Sequence, residues 1–292
     1  MRALITGGSG LVGSALRKNF DASGVRYIAP SSSKLDLTDW RSVGWWMRYA
    51  SKEDLHVVHL AGKVGGLASN MADRWSYYMD NALMTDLLLS EAAKAGVKRL
   101  TLMSSTCAYP DRWPGRAMEE EYMHEGPPPA SNFGYALAKR AACTAVDLAN
   151  EASPERSWNY LIPCNLYGPG DKSGKDAHFV TALLRKIHEA GPGGTVRLMG
   201  TGSPRRQFMH VNDLAEVISR VVRLQISESF NVCPQGSLTI AEIAETALRA
   251  TGSDRTIEFS GRKEEDGQLR KDASPWKMLD RKSTRLNSSH DQ

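Results

Sequence analysis

Cysteine is scarce in this sequence. Cys107, Cys143, Cys164 and Cys233 are scattered through 292 residues, and no two form a C-x-x-C pair. That spacing excludes a disulfide framework and a zinc site of paired thiolates. Reduced thiols in a cytoplasmic protein, with no metal, are expected. Long apolar runs are missing as well. None could span a bilayer and no signal-peptide pattern precedes the first strand, so no membrane association is expected. An excess of one charge is also absent: 37 Lys and Arg against 33 Asp and Glu leave +4. No basic run is interleaved with aromatics, which argues against nucleic acid as a partner.

The length suffices for one large α/β domain and a smaller one. Arg2 to Thr6 is a short apolar strand. It runs into Gly7-Gly8-Ser9-Gly10-Leu11-Val12-Gly13 and then a helical stretch from Ser14 to Phe20. Glycines at 7, 10 and 13, between strand and helix, permit a tight turn and the close approach of a dinucleotide pyrophosphate to a helix N-terminus. This G-x-x-G-x-x-G spacing resembles that of the extended short-chain dehydrogenase/reductase superfamily. A second strand, Tyr27 to Ala29, ends in Pro30-Ser31-Ser32-Ser33-Lys34. A carboxylate for a ribose 2′-hydroxyl is lacking there until Asp36. Ser31, Ser32 and Lys34 suit a 2′-phosphate, so NADP(H) is the expected cofactor, with a plain polar loop as the alternative. Asp36 and Leu37 are then candidates to flank the adenine, as an Asp-Leu pair does in related enzymes. Thr38 reads as the N-cap of a helix over 39–49. His56 to Ala61 is a buried third strand. Ala61 and Gly62-Lys63-Val64-Gly65-Gly66 follow at its C-terminal end, where an α/β fold keeps its ligand.

A helix over 81–95 leads to a fourth strand, Arg99 to Met103, which ends in Ser104-Ser105-Thr106-Cys107-Ala108-Tyr109-Pro110. Ser104, Ser105 and Thr106 therefore stand where α/β enzymes keep reactive groups. Further on, Tyr135 and Lys139 are four apart in Ser131-Asn132-Phe133-Gly134-Tyr135-Ala136-Leu137-Ala138-Lys139-Arg140. Good helix formers separate them, so they share one helix face. A neighbouring ammonium is expected to lower the phenol's pKa and prepare it for proton transfer to a carbonyl oxygen. An ordinary surface pair is the bland alternative. Cys107, two residues from Ser105, is either a buried inert thiol or a reacting one.

These motifs, with Gly126-Pro127-Pro128-Pro129, Asn165-Leu166-Tyr167-Gly168-Pro169, Gly200-Thr201-Gly202-Ser203-Pro204-Arg205-Arg206-Gln207-Phe208 and Asp266-Gly267-Gln268-Leu269-Arg270-Lys271, resemble the GDP-L-fucose synthase family. The Val-Gly-Gly, Ser-Thr-Cys and Pro-Arg-Arg-Gln-Phe stretches are the specific ones. The resemblance implies a Rossmann doubly wound parallel sheet over 1–164. A smaller α/β substrate domain would cover 165–279, with a segment near 208–224 returning to the first domain. It implies that Tyr135, Lys139, Ser105, Cys107 and His178 are catalytic, Cys107 and His178 as the epimerisation pair. His178, Pro163, Asn165 and Leu166 would also line the cofactor. Lys186, Met199, Arg206, Asp266 and Lys271 would meet the GDP-linked 6-deoxyhexose, although bacterial members carry a tryptophan where Met199 stands. For Arg205 and Arg206 an exposed basic turn is the alternative. Members of the superfamily pair as homodimers through helices equivalent to 81–95 and 134–152.

The implied reaction is 3,5-epimerisation of a 4-keto sugar followed by reduction at C4. A plain nucleotide-sugar 4-reductase or 4-epimerase would share Tyr135 and Lys139 without using Cys107 and His178. A non-catalytic NADP-binding regulator usually lacks the Tyr or the Lys. Residues 280–292 read like one frame of a sequencing-adapter oligonucleotide. A non-native tail on a chain cut short near Leu279 is the expectation there, and a natural disordered basic tail the alternative.

Overall fold

The structure, a computed structural model, describes residues 2–112 and 115–280. Apart from Asp280, the expected tail lies outside the described residues. In chain order the elements begin β1 (Arg2–Thr6), α1 (Leu11–Ser23), β2 (Arg26–Ile28), α2 (Trp40–Lys52), β3 (His56–His59), α3 (Leu67–Ala72), α4 (Arg74–Ala95) and β4 (Arg99–Met103). They continue with α5 (Phe133–Glu151), β5 (Ser157–Pro163), β6 (Asn165–Tyr167), α6 (Phe179–Glu189), β7 (Thr195–Leu198), β8 (Arg205–Arg206) and β9 (Phe208–His210). The last are α7 (Val211–Leu224), β10 (Phe230–Val232), β11 (Leu238–Thr239), α8 (Ile240–Ala250), β12 (Thr256–Phe259) and β13 (Arg270–Lys271).

Six strands form one sheet in the order β2-β1-β3-β4-β5-β10, with every neighbouring pair parallel. A parallel sheet needs crossovers and cover on both faces. One face is covered by α2, α4 and α5 through Val43, Met47, Leu88 and Val146. The other is covered by α1 and α7 through Leu16, Phe20, Leu214 and Ile218. This is the doubly wound Rossmann arrangement expected from the sequence. The chain returns to it late. Beyond α7, Phe230–Val232 pairs with β5, a strand too short to be read from the sequence. Met278 packs into the same core as α1.

The smaller unit has its own core. Leu183 and Ile187 of α6 and Ala244 of α8 pack on Val196 and Leu198 of β7, which pairs in parallel with β12. A capping box between Thr239 and Glu242 starts α8. Two expected boundaries move. Asp39, not Thr38, caps α2, accepting from the Arg41 and Ser42 amides. A carboxylate is the stronger acceptor, and the Thr38 hydroxyl is committed to Asp36. The helix expected from Asn81 begins at Arg74, because Asp73 supplies the cap.

Candidate active site

The turn from β1 to α1 is built for close approach. Gly7 holds φ +68°, and a Cβ there would stand 2.6 Å from the Ala61 amide nitrogen; one on Gly13 would collide with the Gly7 carbonyl. Glycine is required at both positions by backbone contact. No side chain caps α1 at Gly10. The first-turn amides around Leu11 and Val12 thus present a donor-rich end to an anion, beside Gly8 and Ser9. These residues fit a dinucleotide pyrophosphate. Ala61 donates its amide to the Thr6 hydroxyl at the mouth of the same turn. At the end of β2, Ser31 and Ser32 are exposed, and the Ser31 hydroxyl pairs with that of Ser33 at 2.8 Å. Arg17 was not singled out from the sequence. Its Cδ lies 3.6 Å from where a Gly8 Cβ would stand, next to Ala29, so a cation borders this corner. The Asp36 carboxylate binds the Thr38 amide and hydroxyl, and Leu37 is buried.

The proton-transfer group sits where β4 meets α5. Ser104 and Thr106 are buried. Ser104 accepts from the Cys143 thiol, and Ser105 accepts from the Cys107 amide at 3.1 Å. Tyr135 enters from the first turn of α5. Lys139, one turn on, is buried, donates 2.9 Å to the Met103 carbonyl, and lies 5.8 Å from the centre of the Tyr135 ring. Burial lowers the Lys139 pKa to about 8, against a small opposing effect of Cys143. The expected acidification of Tyr135 is not met. Burial pushes the phenol well up, the Cys107 charge adds to this, and a hydrogen bond with Ser105 offsets only part. Desolvation outweighs an ammonium that is itself spent on a carbonyl.

Cys107 is the half-buried thiol of the four; Cys143, Cys164 and Cys233 are buried. The Lys271 ammonium stands 3.1 Å from its sulfur. Burial raises the Cys107 pKa, but Lys271 and hydrogen bonds from Ser105 and Asn132 outweigh it and hold the thiol below its ordinary value. Arg206 lies close enough to feel the Cys107 charge, and its Nη1 donates to the Arg205 carbonyl. Lys271 and Arg206 are direct register partners on β13 and β8.

His178 stands at the N-cap position of α6 without a side-chain capping bond, and its Nδ1 lies 2.5 Å from the Asp171 carboxylate. Asp171 also accepts from the Thr181 hydroxyl at 2.6 Å. Burial pushes Asp171 up, but these two bonds hold its carboxyl below the usual range. Asp171 went unnoticed in the sequence, seven residues from His178 across a turn. Other expected contacts have partners of their own. Lys186 donates to the Arg197 carbonyl. Asp266 binds the Thr201 amide and hydroxyl. Met199 lies past the end of β7, 69% exposed. Pro163 is buried at the end of β5, Asn165 donates to the Gln207 carbonyl, and Leu166 packs on the α1-side core. A cleft of about 610 Å³ opens between Asp111, Ser203, Arg205, Gln268, Leu269 and Arg270. Among the described residues no cluster of His, Cys, Asp and Glu could hold a metal ion, and no helix is long and apolar enough to cross a membrane.

The profile of the NAD dependent epimerase/dehydratase family matches residues 3–233. A probable GDP-L-fucose synthase of Drosophila melanogaster is 31% identical over 95% of this chain and 89% of its own. A GDP-L-fucose synthase of Azorhizobium caulinodans is 34% identical over 86% and 81%. The crystal structure of a GDP-L-fucose synthetase from Naegleria fowleri bound to NADP superposes with a TM-score of 0.82, at 28% identity over 96% of this chain and 87% of that one. With the sheet order, the glycine turn and the Tyr135–Lys139 helix agreeing, the chain belongs to the NAD dependent epimerase/dehydratase family.

Proposed function

We propose that this enzyme makes GDP-L-fucose from GDP-4-keto-6-deoxy-D-mannose, by epimerisation at C3 and C5 and NADPH-dependent reduction at C4. The observation that carries this reading is the thiol of Cys107 beside Ser105, Tyr135 and Lys271, at the mouth of the proton-transfer group. A simple reductase has no use for an acidified thiol there. The 4-keto group acidifies the protons on its neighbouring carbons. Cys107 removes one, giving an enolate, and His178 returns one on the opposite face. Ser105 orients the ketone. Bound NADPH would supply the hydride, and Tyr135 then protonates the alkoxide oxygen. The glycine turn from Gly7 to Gly13 would hold the pyrophosphate, Arg17 and Ser31 to Lys34 the 2′-phosphate, and Lys139 the nicotinamide ribose. The cleft around Arg205 and Arg270 has the charge and size for the GDP end. Trp75, Met79 and Leu83 on α4 and Leu148 on α5 are exposed apolar side chains, which suits a cytoplasmic homodimer joined through those two helices.

The test is the NMR spectrum of product formed in D2O from the 4-keto sugar nucleotide and NADPH. Deuterium at C3 and C5, with a new proton at C4, is expected. Reduction with no deuterium at either carbon would make this a plain 4-reductase and remove the roles given to Cys107 and His178.

A further inference from the structure

Lys271 and Arg206 present a problem in electrostatics. They are opposite each other on two parallel strands of two residues each. Like charges in register destabilise a sheet unless an anion lies between or beside them. Arg206 has Asp272 and Asp266 within its field. Lys271 has no carboxylate within ion-pair distance among the described residues, and its ammonium donates to the sulfur of Cys107, 164 positions earlier in the chain. A cation this placed is compensated when the sulfur is ionised and uncompensated when it is not.

The remaining surroundings of Cys107 point the same way. Ser105 on its own loop, Asn132 before α5, Tyr135 on α5, Arg206 on β8 and Lys271 on β13 are the principal polar and charged groups that act on it. None of them is a carboxylate. Tyr135 stays protonated, since burial raises it, and so adds no competing charge. Of the two cations only Lys271 makes direct contact. The docking of its strand is local and specific: Gln268 donates 2.8 Å to the Asp111 carbonyl, fixing the approach of β13 to the loop that carries Cys107.

We propose that Lys271 is a positioning residue that holds Cys107 as a thiolate before substrate arrives, so that the small domain arms the base of the large one. The role rests on Cys107 being the epimerisation base proposed above, but the ion pair itself does not. It differs from a contact to the sugar nucleotide, because it operates with no nucleotide present. When the base takes a proton from carbon, the thiolate becomes a neutral thiol and the pair with Lys271 is lost. Handing that proton on restores it.

The test is the pH dependence of iodoacetamide alkylation of the full chain, free of sugar nucleotide, followed on the Cys107 peptide by mass spectrometry. Alkylation reads the thiolate fraction. Cys143 and Cys233 are pushed by burial to about 12 and Cys164 higher still, so the background is small. The wild-type midpoint is expected below the free-thiol value of about 8.5. Lys271→Met should raise it and slow alkylation at pH 7 by roughly tenfold or more, the effect of one adjacent charge. Lys271→Arg should keep the low midpoint. A wild-type midpoint at or above the free-thiol value overturns the proposal without recourse to any variant. So does an unmoved midpoint in Lys271→Met, or an equal rise in Lys271→Arg. A low midpoint that Lys271 controls, in an enzyme whose product carries no deuterium, would keep the ion pair and discard the epimerase reading.

Discussion

At the residue scale the proposed epimerisation rests on two side-chain pairs. One is Cys107 with Lys271, the other His178 with Asp171. The Asp171 side chain is 2% exposed, and an ionised carboxylate can only accept. The Nδ1 of His178 must therefore carry the proton at the 2.5 Å contact, which would leave Nε2 for the exchange proposed for His178. Asp171→Asn keeps the shape but offers an amide that can also donate, and so releases the tautomer. The expected result is a fall in deuterium incorporation on the order of 10²-fold, within the range such a general acid contributes. NADPH affinity, read by fluorescence titration, should not move. Unchanged deuterium incorporation would make Asp171 a structural cap of the α6 loop and nothing more.

At the element scale β3 is the exceptional strand. It is buried along its whole length, yet two of its four residues are histidines. Threonines from neighbouring elements partner three of the four ring nitrogens, and His56 Nδ1 is buried without a partner. His56 pairs with Thr101 at 2.7 Å, and His59 with Thr6 at 2.7 Å and Thr85 at 3.3 Å. Both imidazoles are kept neutral. Burial takes each pKa down to about 3, helped by Arg99 at His56 and by Lys139 at His59. The unfolded chain binds these protons near 6.5 and the folded chain does not. Stability from this source is therefore complete above about pH 6.5 and is lost as pH falls towards 3, by about 1.4 kcal/mol per pH unit for each imidazole. The urea midpoint should drop between pH 7 and pH 5, and His56→Gln should flatten the slope. A midpoint constant over that window would mean that both rings are protonated in place. The strand itself was legible in the sequence because Val57 and Val58 lie in a run long enough for a buried strand. The same holds for the glycine turn, whose chemistry is local, and for Tyr135 and Lys139, one helical turn apart. Cys107 with Lys271 was not legible: the contact depends on β13 pairing with β8, a register that two residues cannot announce. Asp171 was missed because a turn has no period to read. The pKa of Tyr135 was misjudged because the helix places Lys139 close by, but burial, which spacing does not reveal, decides the sign.

At the scale of the whole molecule, one buried amide ties together three distant stretches of the chain. Gln207, within the Arg-Arg-Gln-Phe stretch, is 2% exposed. Its nitrogen donates to the Pro234 carbonyl at 2.9 Å and the Ala273 carbonyl at 3.0 Å, and its oxygen accepts from the Ala273 amide at 2.8 Å. It thereby joins the strand entering α7, the exit of β10 and the residues just past β13. No other amino acid of this length supplies both donors and an acceptor in that geometry. Gln207→Met keeps the volume and strands the Pro234 carbonyl and the Ala273 amide, while the Ala273 carbonyl keeps only the Cys233 thiol, at a cost on the order of 3 kcal/mol. A fall in Tm of roughly 6 °C or more is expected. The position of Lys271, two residues before Ala273, adds a second expectation. If Gln207 sets where β13 lies, its loss should also raise the alkylation midpoint of Cys107, though no charge near the thiol has changed. A variant that loses Tm but keeps the wild-type midpoint would show that the Gln268 contact to Asp111 suffices to dock the strand, and that the arming of Cys107 is independent of how tightly the domains are joined.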